Sequence, residues 1–347
     1  MTSGRRAFLL GTVALIAGCR GVANASPPSD AEIEALVATF QAHRPTGQHP
    51  VSLSRMVLGE DELWVWRPAS GPAPLVGTIP VPPAYLERLE SRFGPAPAHA
   101  LVRATGRAGL DAPLLEGLFP VVLFQPGASF GARDYRVLLE DLASHGVIVL
   151  AFHPFASPKG SEGRYAEVDG EFRRVLDALP RAVETRALTG ASLDDLVLVG
   201  HSIGGAGAVL ALDHPLAACA VNIDGDYAGA AAVRAPDKPI LYLIGENPRE
   251  SEASRARRAR VWTEVGGGLK DATALRVHGM AHLDITDAGV LPLPDPGSSS
   301  GVHDGSSAHA AVRTTLLRWL GERGVGGAST SPSSSLVSPA FVAADTP

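Results

Sequence analysis

A chain of 347 residues leaves room for two domains, but α/β folds often hold this length in one once tails are set aside. At 45% hydrophobic residues it can build a large core. The formal charge of -6, from 30 basic against 36 acidic residues, leaves no basic excess for gripping a phosphate backbone, so nucleic acid is not an expected partner.

The first residues read as an address. Ser3-Gly4-Arg5-Arg6-Ala7-Phe8-Leu9-Leu10 sets paired arginines before an apolar run, Ala7 to Gly18, that is too short to span a bilayer as a stable helix. It is similar to a twin-arginine export signal, so residues 1–25 are expected to direct the protein to the cell envelope or out of the cell. Leu15-Ile16-Ala17-Gly18-Cys19 resembles a lipobox, which would leave Cys19 lipidated and the chain associated with a membrane surface. Ala23-Asn24-Ala25 is instead a site for release before Ser26. Either way Cys219 is left alone, with no internal disulfide, and its apolar setting from Leu216 to Ile223 makes it a small core residue.

Asp30 to Phe40 (DAEIEALVATF) has helical periodicity with an acidic first turn. Val51 to Val57 and Glu62 to Arg67 alternate as an antiparallel pair, with Trp64 and Trp66 on one face. Pro68 to Pro83 reads as loop and Pro83 to Phe93 as a helix opened by proline. His99 to Thr105 reads as a strand after a proline-rich break. Strands and helices then alternate: Val121 to Phe124, Arg133 to His145, Val147 to Ala151, and a helix from Phe172 to Thr189 bent or restarted at Pro180. Leu196 to Val199, Ala217 to Ile223, Pro239 to Gly245 and Ala274 to His278 are further strands, and Ala308 to Leu320 is the closing helix. The alternation predicts an α/β protein with a mostly parallel, doubly wound sheet and helices on both faces, occupying residues 30–322. Leu291 to Ser307 is an insertion, and residues 323–347, rich in Gly, Ser and Pro, are expected to form a disordered tail.

The chemistry centres on Leu196-Val197-Leu198-Val199-Gly200-His201-Ser202-Ile203-Gly204-Gly205. A buried strand runs into a G-x-S-x-G turn and then a small-residue helix, the setting in which a serine is forced onto a sharp elbow with its hydroxyl exposed. Ser202 is the expected nucleophile, while His201 should point away from it in a structural role. A serine hydroxyl needs a neutral imidazole to take its proton and a carboxylate to fix that imidazole's tautomer. In α/β-hydrolases these follow in the order Ser, acid, His, each beyond the carboxyl end of a strand. Asp224, first after the strand Ala217 to Ile223, is the preferred acid, with Glu246 after the next strand and Asp226 as alternatives. The base is His282, a few residues past the last strand, rather than His278, His303 or His309. The N-H groups of Ile203 and of Ala128, in the turn Gln125-Pro126-Gly127-Ala128-Ser129, are the expected oxyanion donors, because Pro126 has no N-H to offer. No clustering of Cys, His and acids suggests a metal, and no cofactor is expected.

The run FPVVLFQPGASFGARDYRVLLEDLASHGVIVLAFHP (119–154), above all DLASHGVIV, resembles the core of the platelet-activating-factor acetylhydrolase family. GHSIGG, CAVNIDG and VHGMAHLDITD resemble that family's elbow, acid loop and histidine loop, and the likeness extends over roughly Val51 to Leu320. It implies a calcium-independent serine esterase acting on short or oxidised acyl chains, such as the sn-2 ester of a phospholipid. Related polyester-degrading cutinases share the fold but place their acid one strand later, where this chain offers Glu246. The sequence departs from the family at Gln125-Pro126, where a Ser-His pair is common. Longer-chain or polymeric esters, acyl transfer to an alcohol, and a non-catalytic lipid-binding module are the competing readings.

Overall fold

The computed structural model describes residues 27–72, 74–75, 81–152, 161–225, 237–246, 271–293, 305–326 and 334–340, with isolated positions between 251 and 259. The export segment with Cys19, and also Asp226 and His303, lie outside the described residues. Helix α1 (Asp30–Ala42) is capped by Ser29, whose hydroxyl accepts the Glu32 N-H at 3.2 Å, and it buries Ile33, Leu36, Val37 and Phe40 at helical spacing. Strands β1 (Val51–Leu58) and β2 (Asp61–Pro68) pair antiparallel, and Trp64 and Trp66 share the buried face with ring centroids 6.0 Å apart.

Helix α2 (Pro83–Phe93) occupies its expected bounds, but α3 (Pro95–Arg103) replaces the strand expected at His99 to Thr105. Pro95 stands in the first turn, where a missing N-H is harmless, and the alanines at 96, 98 and 100 favour a helix and let it pack against α1 and α2. Strand β3 (Gly109–Leu110) adds two residues beside β1.

The central strands β4 (Phe119–Gln125), β5 (Ile148–Phe152), β6 (Ala191–His201), β7 (Ala217–Ile223), β8 (Ile240–Gly245) and β9 (Ala272–Val277) are mutually parallel. The full sheet order is β10-β9-β8-β7-β6-β4-β5-β2-β1-β3. On one face α1, α2, α3, α4 (Arg136–Ser144) and α7 (Gly305–Gly321) share a core with Trp64, Trp66, Phe124 and Val199. On the other, α5 (Ser161–Glu184) and α6 (Ile203–Leu210) pack on Leu63, Leu123 and Leu198. This is an α/β-hydrolase fold. Helix α5 begins eleven residues before its expected start at Phe172, since its apolar spacing only opens at Val168, and it runs through Pro180 to end at Glu184, short of Thr189. None of the described helices is long and apolar enough to cross a membrane.

The disordered tail expected over 323–347 is corrected at residues 334–340. Strand β10 (Val337–Pro339) pairs antiparallel with β9, Leu336 and Val337 pack at the core margin, and the edge of the sheet gains a partner. A strand of three residues carries too little periodicity to be read from sequence.

Because β4 lies between β5 and β6, the chain leaves β4 on one side and returns across it to the other. Connections that diverge in this way open a crevice at the carboxyl ends of the two strands. The turn after β4 and the elbow after β6 therefore meet there. A buried ion pair fixes the helices nearby. Arg136 donates to Asp287 Oδ2 at 2.8 Å and to the Leu101 and Ala104 carbonyls at the end of α3, while Asp287 Oδ1 accepts the Val137 N-H at 3.0 Å.

Candidate active site

The four residues Leu196 to Val199 of β6 are fully buried, and the strand delivers Ser202 onto a backbone with φ 56° and ψ -122°. That conformation is strained for a residue with a side chain and survives only where its surroundings over-determine it. The Ser202 N-H donates to the Ile223 carbonyl at 2.9 Å. Helix α6 is pressed onto the turn after β4 so closely that a Cβ on Gly204 would lie 2.2 Å from the Gln125 carbonyl oxygen.

The acid sits one residue past β7. Its N-H donates to the Leu243 carbonyl at 2.7 Å, and its carboxylate divides its two oxygens between fixed donors. Asp224 Oδ1 accepts the Gly245 N-H at 2.8 Å, and Oδ2 accepts His282 Nδ1-H at 2.7 Å. The other ring nitrogen, His282 Nε2, lies 3.1 Å from Ser202 Oγ. The imidazole is 43% exposed and the Asp224 side chain 7%, so the base opens to solvent while its carboxylate is shielded. The His282 loop is itself held by Asp284 Oδ2, which accepts the Ala281 N-H at 2.8 Å. The structure thus brings Ser202, His282 and Asp224 into one hydrogen-bonded line.

The alternatives go elsewhere. Glu246, 39% exposed, binds His278 Nδ1 at 2.8 Å, a bond that with the nearby charges holds its carboxyl below the ordinary range. His278 Nε2 meets Ser338 Oγ at 2.7 Å, so this pair joins β10 to the sheet rather than facing the serine. His309 is buried in α7, and burial depresses its basicity.

The turn after β4 passes over the elbow. A Cβ on Gly127 would lie 3.3 Å from Ser202 Cβ and 2.8 Å from His201 Nδ1, a close approach that only glycine permits. Ala128 follows directly, and Ser129, at φ 68°, turns the chain back. Ile203 opens α6, where the first N-H groups have no partner within the helix. The Gln125 side chain donates to Glu171 Oε2 on α5 at 2.8 Å, and burial pushes the Glu171 carboxyl up to about 7.

Sequence reasoning left His201 as structural and gave Tyr135 no role. Both are fully buried beside the site. Tyr135 Oη accepts the Gly127 N-H at 3.0 Å and lies 2.8 Å from His201 Nδ1, and His201 Nε2 lies 2.7 Å from the His282 carbonyl oxygen. Burial, with His282 beside it, lowers His201 to about 3 and keeps it neutral. No sequence signal marks Tyr135, which stands in a short 3-10 turn (Ala132–Tyr135) ahead of α4. Cys219 is buried as expected, its thiol pushed up to about 12 by desolvation. Among the described residues no group of three or more His, Cys, Asp or Glu could hold a metal ion.

Comparison with known proteins adds two findings. The Chlorophyllase family model matches residues 103–225, which is less than half the chain and runs from the end of α3 through the elbow and Asp224, stopping short of His282. Among solved structures, a ferulic acid esterase from Streptomyces cinnamoneus is similar with a TM-score of 0.62 at 22% sequence identity, over 85% of this chain and 98% of that one. At that identity the likeness speaks for the fold. No curated protein matches the chain significantly.

Proposed function

We propose that this chain is a serine hydrolase of carboxylic esters, with Ser202 as nucleophile, His282 as base and Asp224 as its orienting acid. The observation that carries the reading is the continuous line from Ser202 Oγ to His282 Nε2 at 3.1 Å and from His282 Nδ1 to Asp224 Oδ2 at 2.7 Å. As Ser202 Oγ attacks the ester carbonyl, its proton passes to His282 Nε2. The negative charge then moves to the carbonyl oxygen, opposite the N-H groups of Ile203 and Ala128. Collapse returns that proton to the departing alcohol and leaves an acyl group on Ser202. Water, deprotonated by the same imidazole, then releases the acid. Asp224 stays ionised throughout and stabilises the imidazolium.

The family match and the solved neighbour support ester chemistry, since the neighbour is itself an esterase by name. For the acyl group we favour short or oxidised chains, on the resemblance of the elbow, acid and histidine loops to the platelet-activating-factor acetylhydrolases. We also place the working protein outside the cytoplasm, on the paired arginines and the apolar run that follows them. Fluorophosphonate labelling of the folded protein, with p-nitrophenyl esters of graded length and an sn-2 short-acyl phospholipid as substrates, tests the reading. Labelling abolished by Ser202→Ala and turnover falling with chain length are expected. An unlabelled wild type refutes the hydrolase, and a preference for long insoluble chains refutes the acyl assignment alone.

A further inference from the structure

We infer that Tyr135 and His201 are positioning residues that hold the oxyanion turn and the catalytic base in register with the nucleophile. The inference rests on the ester-hydrolase reading and adds to it a physical link between the two halves of the site. The direction of each bond in the relay is forced. The His282 carbonyl can only accept, so His201 Nε2 must carry the proton. A neutral ring then leaves Nδ1 with a lone pair, which takes the Tyr135 hydroxyl proton at 2.8 Å. That hydroxyl keeps its own lone pairs for the Gly127 N-H at 3.0 Å.

The ends of the relay separate it from an ordinary buried polar staple. One end fixes the residue before Ala128, the middle is the residue before Ser202, and the other end holds the backbone of His282 itself. Both side chains are fully buried, so no water can stand in for a lost bond without opening the core. The tyrosine ring is set independently by edge-on packing against Phe124, with centroids 4.9 Å apart, and against Phe130. The ring centroids of His201 and His282 are 4.7 Å apart. A neutral His201 therefore lets His282 become an imidazolium during attack without a second cation beside it.

The test uses Tyr135→Phe, which keeps the ring and its packing and removes the hydroxyl at the centre of the relay. With p-nitrophenyl acetate we expect kcat to fall by about 10- to 100-fold, less than for outright loss of an oxyanion donor, while KM changes by less than about 2-fold. Affinity for an alkylboronic acid, which forms a tetrahedral adduct on the serine, should fall by a similar factor. His201→Gln is the second variant, and because the relay acts as one unit the double variant should be no slower than the slower single. A Tyr135→Phe protein that melts earlier but keeps wild-type kcat and boronate affinity overturns the inference, as does failure of both single variants to fold. Ser202→Ala separates the two readings. If it retains turnover, the parent hydrolase assignment falls. If it is dead while Tyr135→Phe has wild-type kcat, only the positioning role falls.

Discussion

Replacing Asp224 by asparagine isolates the orienting role of the acid, because the surroundings decide which way the new amide must face. In the native site one carboxylate oxygen accepts the Gly245 N-H at 2.8 Å and the other accepts His282 Nδ1-H at 2.7 Å. The Gly245 N-H cannot change its role, so the asparagine oxygen turns to it and the NH2 group faces His282. Nδ1 must then accept, and the ring proton moves to Nε2, where it points at Ser202 Oγ and can no longer remove the serine's proton. The loss expected for a wrong tautomer in intact geometry is about 10⁴-fold in kcat, or roughly 5.4 kcal/mol of barrier. Fold and volume should be preserved, so thermal melting serves as the control, and kcat with p-nitrophenyl acetate and the rate of fluorophosphonate labelling should fall together. Turnover within tenfold of wild type would refute the reasoning and move the acid to another residue.

Three other outcomes follow from the packing and the buried charges. Gly204→Ala should destabilise the fold by about 3 kcal/mol or more, since its Cβ meets backbone rather than a movable side chain, and a denaturant melt with an unchanged midpoint would contradict this. Arg136→Met strips the buried Asp287 carboxylate and two α3 carbonyls of their donor, and should cost about 3–5 kcal/mol by the same measurement, against less than 1 if the pair were solvated. For pH, His201 (about 3) and His309 have depressed folded values, so their stability contribution grows as pH rises towards 6.5. Glu140 and Glu171, both raised to about 7 by burial, contribute the opposite slope between 4.5 and 7. Desolvation also lowers His145 and raises Asp134, one more group on each side, so the two sets oppose one another from 4.5 to 6.5. Below 4.5 the slopes of Glu140 and Glu171 end, while His201, with Glu246 held low by His278, still favours the higher pH, so the fold weakens as pH falls. Melting temperatures should be flat between pH 4.5 and 6.5 and fall below that range, and a steady rise across it would refute the assignment.

The parallel strands were legible because burial on both faces leaves unbroken apolar runs, as in Leu196 to Val199. The serine, acid and base follow from their order past the ends of β6, β7 and β9, and the described geometry places all three together. What escaped has a common cause in short or non-local pairing. Strands β3 and β10 are too brief to show alternation, and His99 to Thr105 reads as a strand because Pro95 and Pro97 interrupt the pattern where the helix itself begins. Tyr135 sits 67 positions before the serine, and only the return of β6 beside β4 brings its hydroxyl to the elbow's histidine.

Ser338 and the Leu336 carbonyl both hold His278, four positions ahead of the base, while Glu246 on the same imidazole follows the glycine that steadies the acid. Because β10 runs antiparallel to β9, it enters beside Val277 at the catalytic rim and by residue 340 lies opposite Ala274, heading toward the amino ends of the parallel strands. A tether at that end should therefore leave substrate access open, whereas trimming the chain back to residue 333 should free His278 and slow the enzyme.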